Sequence, residues 1–185
     1  MKKMMMLLIS IVLMSIFAGC GDMLSHYNIR GEHNFRYLTM HEALELLEDE
    51  SFSGVFYFGF PDCPWCKMAM PAIHEASQLF GIDVFYISRR HSIRGTEGWE
   101  EADIEMASRL NDQIEIRWIY EYEEPVRPNI FVPHVIYIRE GVVIDHHQGT
   151  FEGHYRDENG YLPSLTDEEY RFLLESYIRI FSAVQ

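Results

Sequence analysis

The apolar positions of this 185-residue chain alternate between strand-like runs and helix-like stripes. A continuous apolar run of strand length stands at residues 54–60, which is typical of a strand buried on both faces, and residues 82–88 predict a second strand of the buried type. The stretch from Cys63 to Gly81 between them has helical periodicity and ends on a glycine, which commonly terminates helices. Strand, helix and strand in this order predict a βαβ unit with parallel strands.

Three further helices are predicted outside this unit. Residues 39–42 and 166–169 each have the S/T-x-x-E spacing of a capping box, followed by an apolar stripe. We expect the two helices to run to about residues 50 and 183. A third helix is expected from about 97 to 111, where Trp99, Met106 and Leu110 stand near helical spacing.

The remaining strands complete an α/β fold. Residues 35–38 predict a short edge strand, and residues 135–139 and 142–146 predict a hairpin around the Glu140-Gly141 turn. The order of elements therefore predicts a mixed central sheet flanked by helices on both faces. The segment 88–130 is expected to be an insertion before the hairpin, within a domain of residues 35–185.

The N-terminus indicates export. Lys2 and Lys3 precede an uncharged apolar run, residues 4–18, which is too short for a membrane-spanning helix and typical of a signal peptide. The following Gly19-Cys20 resembles a bacterial lipobox, which implies cleavage after residue 19 and a lipid on Cys20. Residues 20–34 are polar and show no apolar periodicity, which predicts a tether between the membrane anchor and the folded domain. An ordinary cleaved signal or an uncleaved anchor is the alternative, in which Cys20 is incidental.

The composition indicates a folded domain and argues against a nucleic-acid partner. The hydrophobic fraction is 48% and the chain has 12 Phe and 11 Tyr, which suffices for a packed core. The formal net charge is −14 and no run of Lys and Arg forms a basic patch. We therefore expect no nucleic-acid partner.

Two of the three cysteines, Cys63 and Cys66, stand at the start of the helix that follows the first buried strand. Unpaired N–H groups and the helix dipole stabilise a thiolate at this place, and Pro64 suits the first helical position. We therefore expect Cys63 to be the nucleophile. Cys66, three residues on and more buried, is expected to resolve the mixed disulfide.

Two other uses of the pair remain open. A static Cys63–Cys66 disulfide would close so short a loop that it would restrain the unfolded chain little. A structural zinc site needs about two further Cys or His ligands. His146 and His147 are adjacent, so on a strand they would point to opposite faces. We expect no metal and no separate cofactor.

The motif F-x-x-P-x-C-x-x-C-K-M-x-x-P, which begins at Phe58, resembles the active site of the thioredoxin family. The resemblance spans residues 35–184 apart from 88–130, and it implies a thioredoxin fold and thiol–disulfide exchange. Val132-Pro133 stands where that family has a cis-proline, which implies that Pro133 is cis and that the Val132 backbone pairs with substrate. Trp65, between the cysteines, is expected to contact substrate or to form a wall of the groove.

The chain departs from thioredoxin at two places. Pro64-Trp65 replaces Gly-Pro between the cysteines, which alters the reduction potential. Tyr57 stands where thioredoxin buries an acidic residue, so proton transfer must use water or another group. His134 is expected either beside the sulfurs, where its charged form would lower the thiol pKa, or on the surface by the groove.

These residues predict a lipid-anchored thiol–disulfide oxidoreductase on the extracytoplasmic face of a bacterial membrane. The resemblance extends to bacterial thioredoxin-like lipoproteins, including bacteriocin-transport accessory proteins. It implies that the chain exchanges disulfides with protein thiols outside the cytoplasm and needs a redox partner to reset it. The alternative is a binding or chaperone-like module for a secretion or transport system, specific through residues 88–130, with catalysis secondary.

Overall fold

A computed structural model describes residues 23–89, 99–114 and 130–184, without the side chains of residues 99 and 100. The chain divides into two compact units, residues 1–30 and 31–185. In the first unit, Met23–Tyr27 forms a short 3-10 helix. The predicted signal peptide and Cys20 lie outside the described residues, as does much of the predicted insertion.

The described residues of the second unit form a five-stranded sheet. Its strands are β1 (Phe35–Leu38), β2 (Gly54–Gly59), β3 (Val84–Ser88), β4 (His134–Arg139) and β5 (Val142–Gln148). The order across the sheet is β1-β3-β2-β4-β5. The first three strands are parallel, whereas β4 is antiparallel to β2 and to β5. The predicted mixed central sheet is confirmed.

In the described part of the chain, four helices flank the sheet: α1 (Met40–Glu48), α2 (Pro64–Phe80), α3 (Trp99–Asn111) and α4 (Asp167–Ser182). Both predicted capping boxes form, with Thr39 before α1 and Thr166 before α4. In the first, the Thr39 N–H donates to Glu42 at 2.7 Å and the Glu42 N–H donates to the Thr39 hydroxyl at 3.2 Å. Gly81 ends α2 in the left-handed conformation, with φ of 64°. No helix of the described ranges is long and apolar enough to cross a membrane.

Strand β2 lies at the centre of the sheet and is buried on both faces. On one face Phe56 and Phe58 pack into a cluster with residues of α1 and α3. Val55 and Tyr57 alternate onto the other face, and α2 packs against α4. Each fully buried apolar side chain contributes about 1.5–3 kcal/mol relative to exposure. The core therefore fixes the carboxyl end of β2, from which the chain passes to the cysteines.

Candidate active site

Cys63 is the residue that caps the N-terminus of α2. Its backbone is extended, and Pro64 follows as the first helical residue. The backbone N–H of Cys66 donates to Cys63 Sγ at 3.2 Å, so the thiol takes the capping role that an Asp or Ser side chain usually has. Cys63 is 4% exposed, and Cys66 lies one turn further into the helix. Both are free thiols in the structure.

The environment of Cys63 favours its thiolate. The pKa of this thiol is lowered chiefly by its hydrogen bond with the Cys66 side chain, against the opposing effect of burial. The backbone N–H groups of Cys66 and Trp65 and the positive charge of Arg156 lower the pKa further. These donors belong to the first turn of the helix, where N–H groups have no intrahelical acceptor. The pKa of Cys63 therefore lies below that of an ordinary thiol, so more of Cys63 is present as the nucleophilic thiolate.

Cys66 has the opposite character. It is fully buried, and burial raises the pKa of its thiol, as does the neighbouring Cys63. The backbone at Phe60 and the Tyr57 hydroxyl lower the same pKa by a smaller amount. Cys66 therefore holds its proton while Cys63 reacts, which is the order that a resolving thiol requires.

Tyr57 reaches Cys66 because Gly59 leaves room for its ring. A Cβ atom at residue 59 would lie 2.2 Å from the Tyr57 hydroxyl oxygen and 2.4 Å from Cζ. The ring is fully buried and lies 5.0 Å from the ring of Tyr86, centroid to centroid. Thus a buried hydroxyl, rather than a carboxylate, stands next to the resolving thiol.

Val132 and Pro133 face the cysteines from the loop before β4. The Val132-Pro133 peptide bond is cis, as the family resemblance implies. The Cys63 thiol donates a long hydrogen bond of 3.9 Å to the carbonyl oxygen of Val132. Val132 is half-buried and Pro133 is buried. The structure therefore brings the backbone of Val132 beside the nucleophile.

Trp65 is fixed by the loop between β5 and α4. Its indole Nε1–H donates to the carbonyl oxygen of His154 at 3.0 Å, and the Arg156 guanidinium lies over its ring at 5.1 Å from the centroid. Trp65 and Val132 also line a groove of about 580 Å³. The other residues of its lining include Phe131, Gly149, Phe151 and Tyr155.

Sequence reasoning missed His154 and Arg156. The two residues stand in a polar stretch after the predicted hairpin, where a single histidine and a single arginine carry no spacing signal. In the structure, the contacts of Trp65 with His154 and Arg156 show that this loop belongs to the site.

The prediction that His134 lies beside the sulfurs or on the surface is wrong. His134 is 1% exposed and pairs with Phe58 in the sheet, so it lies on the face opposite Tyr57 and Cys66. Its Nε2 lies 3.1 Å from Nδ1 of His146. Burial, chiefly, lowers the pKa of His134 to about 3. The ring is therefore neutral, does not charge the thiols, and is not accessible to substrate.

Metal ligation has no support in the described ranges. Within residues 23–89, 99–114 and 130–184, no three side chains among His, Cys, Asp and Glu are grouped to hold a metal ion. His146 and His147 alternate along β5 and have separate partners, His134 and the carbonyl oxygen of Thr150.

Comparisons with known proteins found similar structures but no relative by sequence. No protein-family model and no curated protein matches the chain. Thioredoxin O2 from Arabidopsis thaliana, in its oxidized state, is 22% identical with a TM-score of 0.40, and the match covers 65% of this chain and 87% of that one. Thioredoxin from Aeropyrum pernix is 17% identical with a TM-score of 0.38, over 62% and 74% of the two chains. Thioredoxin NaTrxh from Nicotiana alata is 14% identical with a TM-score of 0.38, over 80% and 98%. These three similar structures are all thioredoxins.

Proposed function

We propose that this protein is a thiol–disulfide oxidoreductase whose active site is Cys63-Pro64-Trp65-Cys66. The observation that carries the proposal is the opposite character of its two thiols. Cys63 caps a helix and has a lowered pKa, whereas Cys66 is fully buried and has a raised pKa. A static disulfide would need no such difference, but stepwise exchange does, because one thiol must attack first.

The exchange proceeds in two steps. The Cys63 thiolate attacks one sulfur of a substrate disulfide, forms a mixed disulfide and releases the first substrate thiolate. Cys66 then loses its proton, attacks Cys63 Sγ and releases the second substrate thiolate, which leaves a Cys63–Cys66 disulfide. Two electrons have passed to the substrate, and the released thiolates take up protons. A dithiol partner restores the reduced pair by the same steps in reverse, and the potential of the pair decides the direction of net flow.

Substrate lies in the groove beside Val132. The Val132 carbonyl oxygen already accepts from the Cys63 thiol, so an extended polypeptide paired with this backbone would place its sulfur next to Cys63. Backbone pairing is tolerant of sequence, while the side-chain surfaces of the groove select among substrates. Pro64 and Trp65 are half-buried, and Trp65 lines the same groove as Val132.

The site of action in this proposal is the outer face of a bacterial membrane, with the protein held by a lipid on Cys20. Its support is the sequence of residues 1–20 and the cysteine pair itself, since disulfides persist outside the cytoplasm. Labelled fatty acid is expected to enter the wild type and not Cys20→Ser. Equal labelling of both would contradict the anchor without touching the redox activity.

Two variants of the pair test the oxidoreductase. Cys66→Ser is expected to accumulate mixed disulfides with substrate proteins, because the attack of Cys63 remains and its resolution is lost. Cys63→Ser should form none. The double variant, Cys63→Ser with Cys66→Ser, is expected to lose the role of the protein in cells. Retention of that role would favour the binding-module alternative.

A further inference from the structure

The loop of residues 149–163 is organised by a buried histidine. His154 is 7% exposed, and its Nε2 lies 2.8 Å from the carbonyl oxygen of Pro163. A carbonyl can only accept, so Nε2 carries the proton. Its Nδ1 lies 2.7 Å from the Thr150 hydroxyl oxygen, within hydrogen-bond distance. His154 therefore ties both ends of the loop together, and its own carbonyl oxygen holds Trp65.

This loop holds a cation beside the cysteines. The Arg156 guanidinium lies over Trp65, and its Nη1 donates to the carbonyl oxygen of Gly160 at 2.6 Å. The turn that presents Gly160 is fixed in its own right. The Asp157 carboxylate accepts the backbone N–H groups two and four residues on, at 2.9 Å and 2.8 Å. Stacking and hydrogen bonding thus fix the guanidinium without neutralising it.

Most of the N–H donors of the Arg156 guanidinium are available to a ligand. A guanidinium has five N–H groups, and in the described part of the chain Arg156 makes no ion pair and no side-chain hydrogen bond besides that to Gly160. The side chain is exposed. The chain has a net charge of −14, yet this cation acts on the reactive sulfur, since its charge lowers the pKa of Cys63. Arginine is the residue best suited to bind a carboxylate through two parallel hydrogen bonds.

We propose that Arg156 is a specificity-determining residue that binds a carboxylate carried by the substrate polypeptide near its reacting cysteine. The inference rests on the proposed function, because it needs a polypeptide in the groove. Trp65 lines that groove with Val132, so the cation on the Trp65 ring lies at its border. Such a contact favours acidic substrates that the charge of the whole protein would otherwise repel.

Matched peptide disulfides test the proposal. Each carries Asp, Asn or Lys at one of the two positions on either side of its cysteine and is otherwise identical. The measured quantity is kcat/KM for disulfide exchange, expressed as the Asp-to-Asn ratio within each protein variant, so that any effect of the variant on Cys63 itself divides out. We expect a ratio of up to about five for the wild type at one or more positions, which corresponds to about 1 kcal/mol, the upper end for an exposed ion pair.

Charge variants separate recognition from a structural role. Arg156→Gln is expected to bring the ratio to about one, Arg156→Lys to keep it above one, and Arg156→Glu to invert it so that Lys peptides react fastest. Arg171→Gln, which removes an equal charge from an exposed position on α4, should leave the wild-type ratio unchanged. Inversion by Glu is a result that loss of loop structure would not produce.

Two results would overturn the role of Arg156. One is a wild-type ratio near one at every position, and the other is a ratio that Arg156→Gln does not change. Absence of exchange with all peptides, Asn included, would refute the proposed function and the role of Arg156 with it. The Asn peptides thus distinguish the two failures.

Discussion

Gly59→Ala tests the packing that places a hydroxyl beside the resolving thiol. The added Cβ would lie 2.2 Å from the Tyr57 hydroxyl oxygen, whereas non-bonded heavy atoms settle at about 3.5–4.0 Å. The ring must therefore move by about 1 Å or more, and it is fully buried against Tyr86. Overpacking of this kind costs about 1–3 kcal/mol. For a chain of this size, we expect Tm to fall by about 2–12 °C.

A double-mutant cycle provides the control. Tyr57→Leu removes the ring atoms that the new Cβ meets, so in that background Gly59→Ala should be neutral or stabilise by up to about 1 kcal/mol, as Ala does relative to Gly within a strand. Thermal unfolding of the reduced protein, followed by circular dichroism, measures all four variants. An equal cost of Gly59→Ala in both backgrounds would refute the placement of the Tyr57 ring.

Three further predictions follow from the same contacts. Alkylation of Cys63 by iodoacetamide should accelerate with pH around a midpoint below the ordinary thiol pKa of about 8.5, because the helix donors stabilise its thiolate; a midpoint at or above that value would contradict the capping geometry. The unfolding free energy should fall as the pH drops from 6.5 toward about 3, because over this range His134 is protonated in the unfolded chain but stays neutral in the folded protein. His134→Asn should show a smaller fall, and an unchanged pH dependence would count against a buried neutral ring. Thr166→Ala should lower the unfolding free energy by about 1 kcal/mol and Tm by about 2–4 °C, through loss of the α4 cap; unchanged urea and thermal unfolding would show that the cap contributes nothing.

Elements with strong local signals could be predicted from the sequence. The apolar run of β2, the capping boxes at Thr39 and Thr166, and the Gly81 terminator each place an element within about two residues of its observed bounds. The predicted hairpin was short at its polar ends. β4 begins at His134 and β5 continues to Gln148, because sheet pairing extends to polar residues that carry no hydrophobic signal.

The candidate site could be predicted only in part. Cys63 and Cys66 follow from a local motif, and the cis bond before Pro133 follows from a family resemblance. His134 was misplaced because the face of a strand residue depends on register, which the order of residues around Pro133 does not give. His154 and Arg156 reach Trp65 across about ninety positions of sequence, and such contacts leave no periodic pattern.

The central claim is that Cys63 and Cys66 form a reversible redox couple. The direct measurement is the equilibrium between their dithiol and disulfide forms in glutathione buffers of known potential. We expect a two-electron transition between about −270 and −120 mV, with the lower end favouring reduction of substrates and the upper end favouring their oxidation. A disulfide that stays intact below about −300 mV would behave as a structural bond and would contradict the claim, as would a pair that never oxidises.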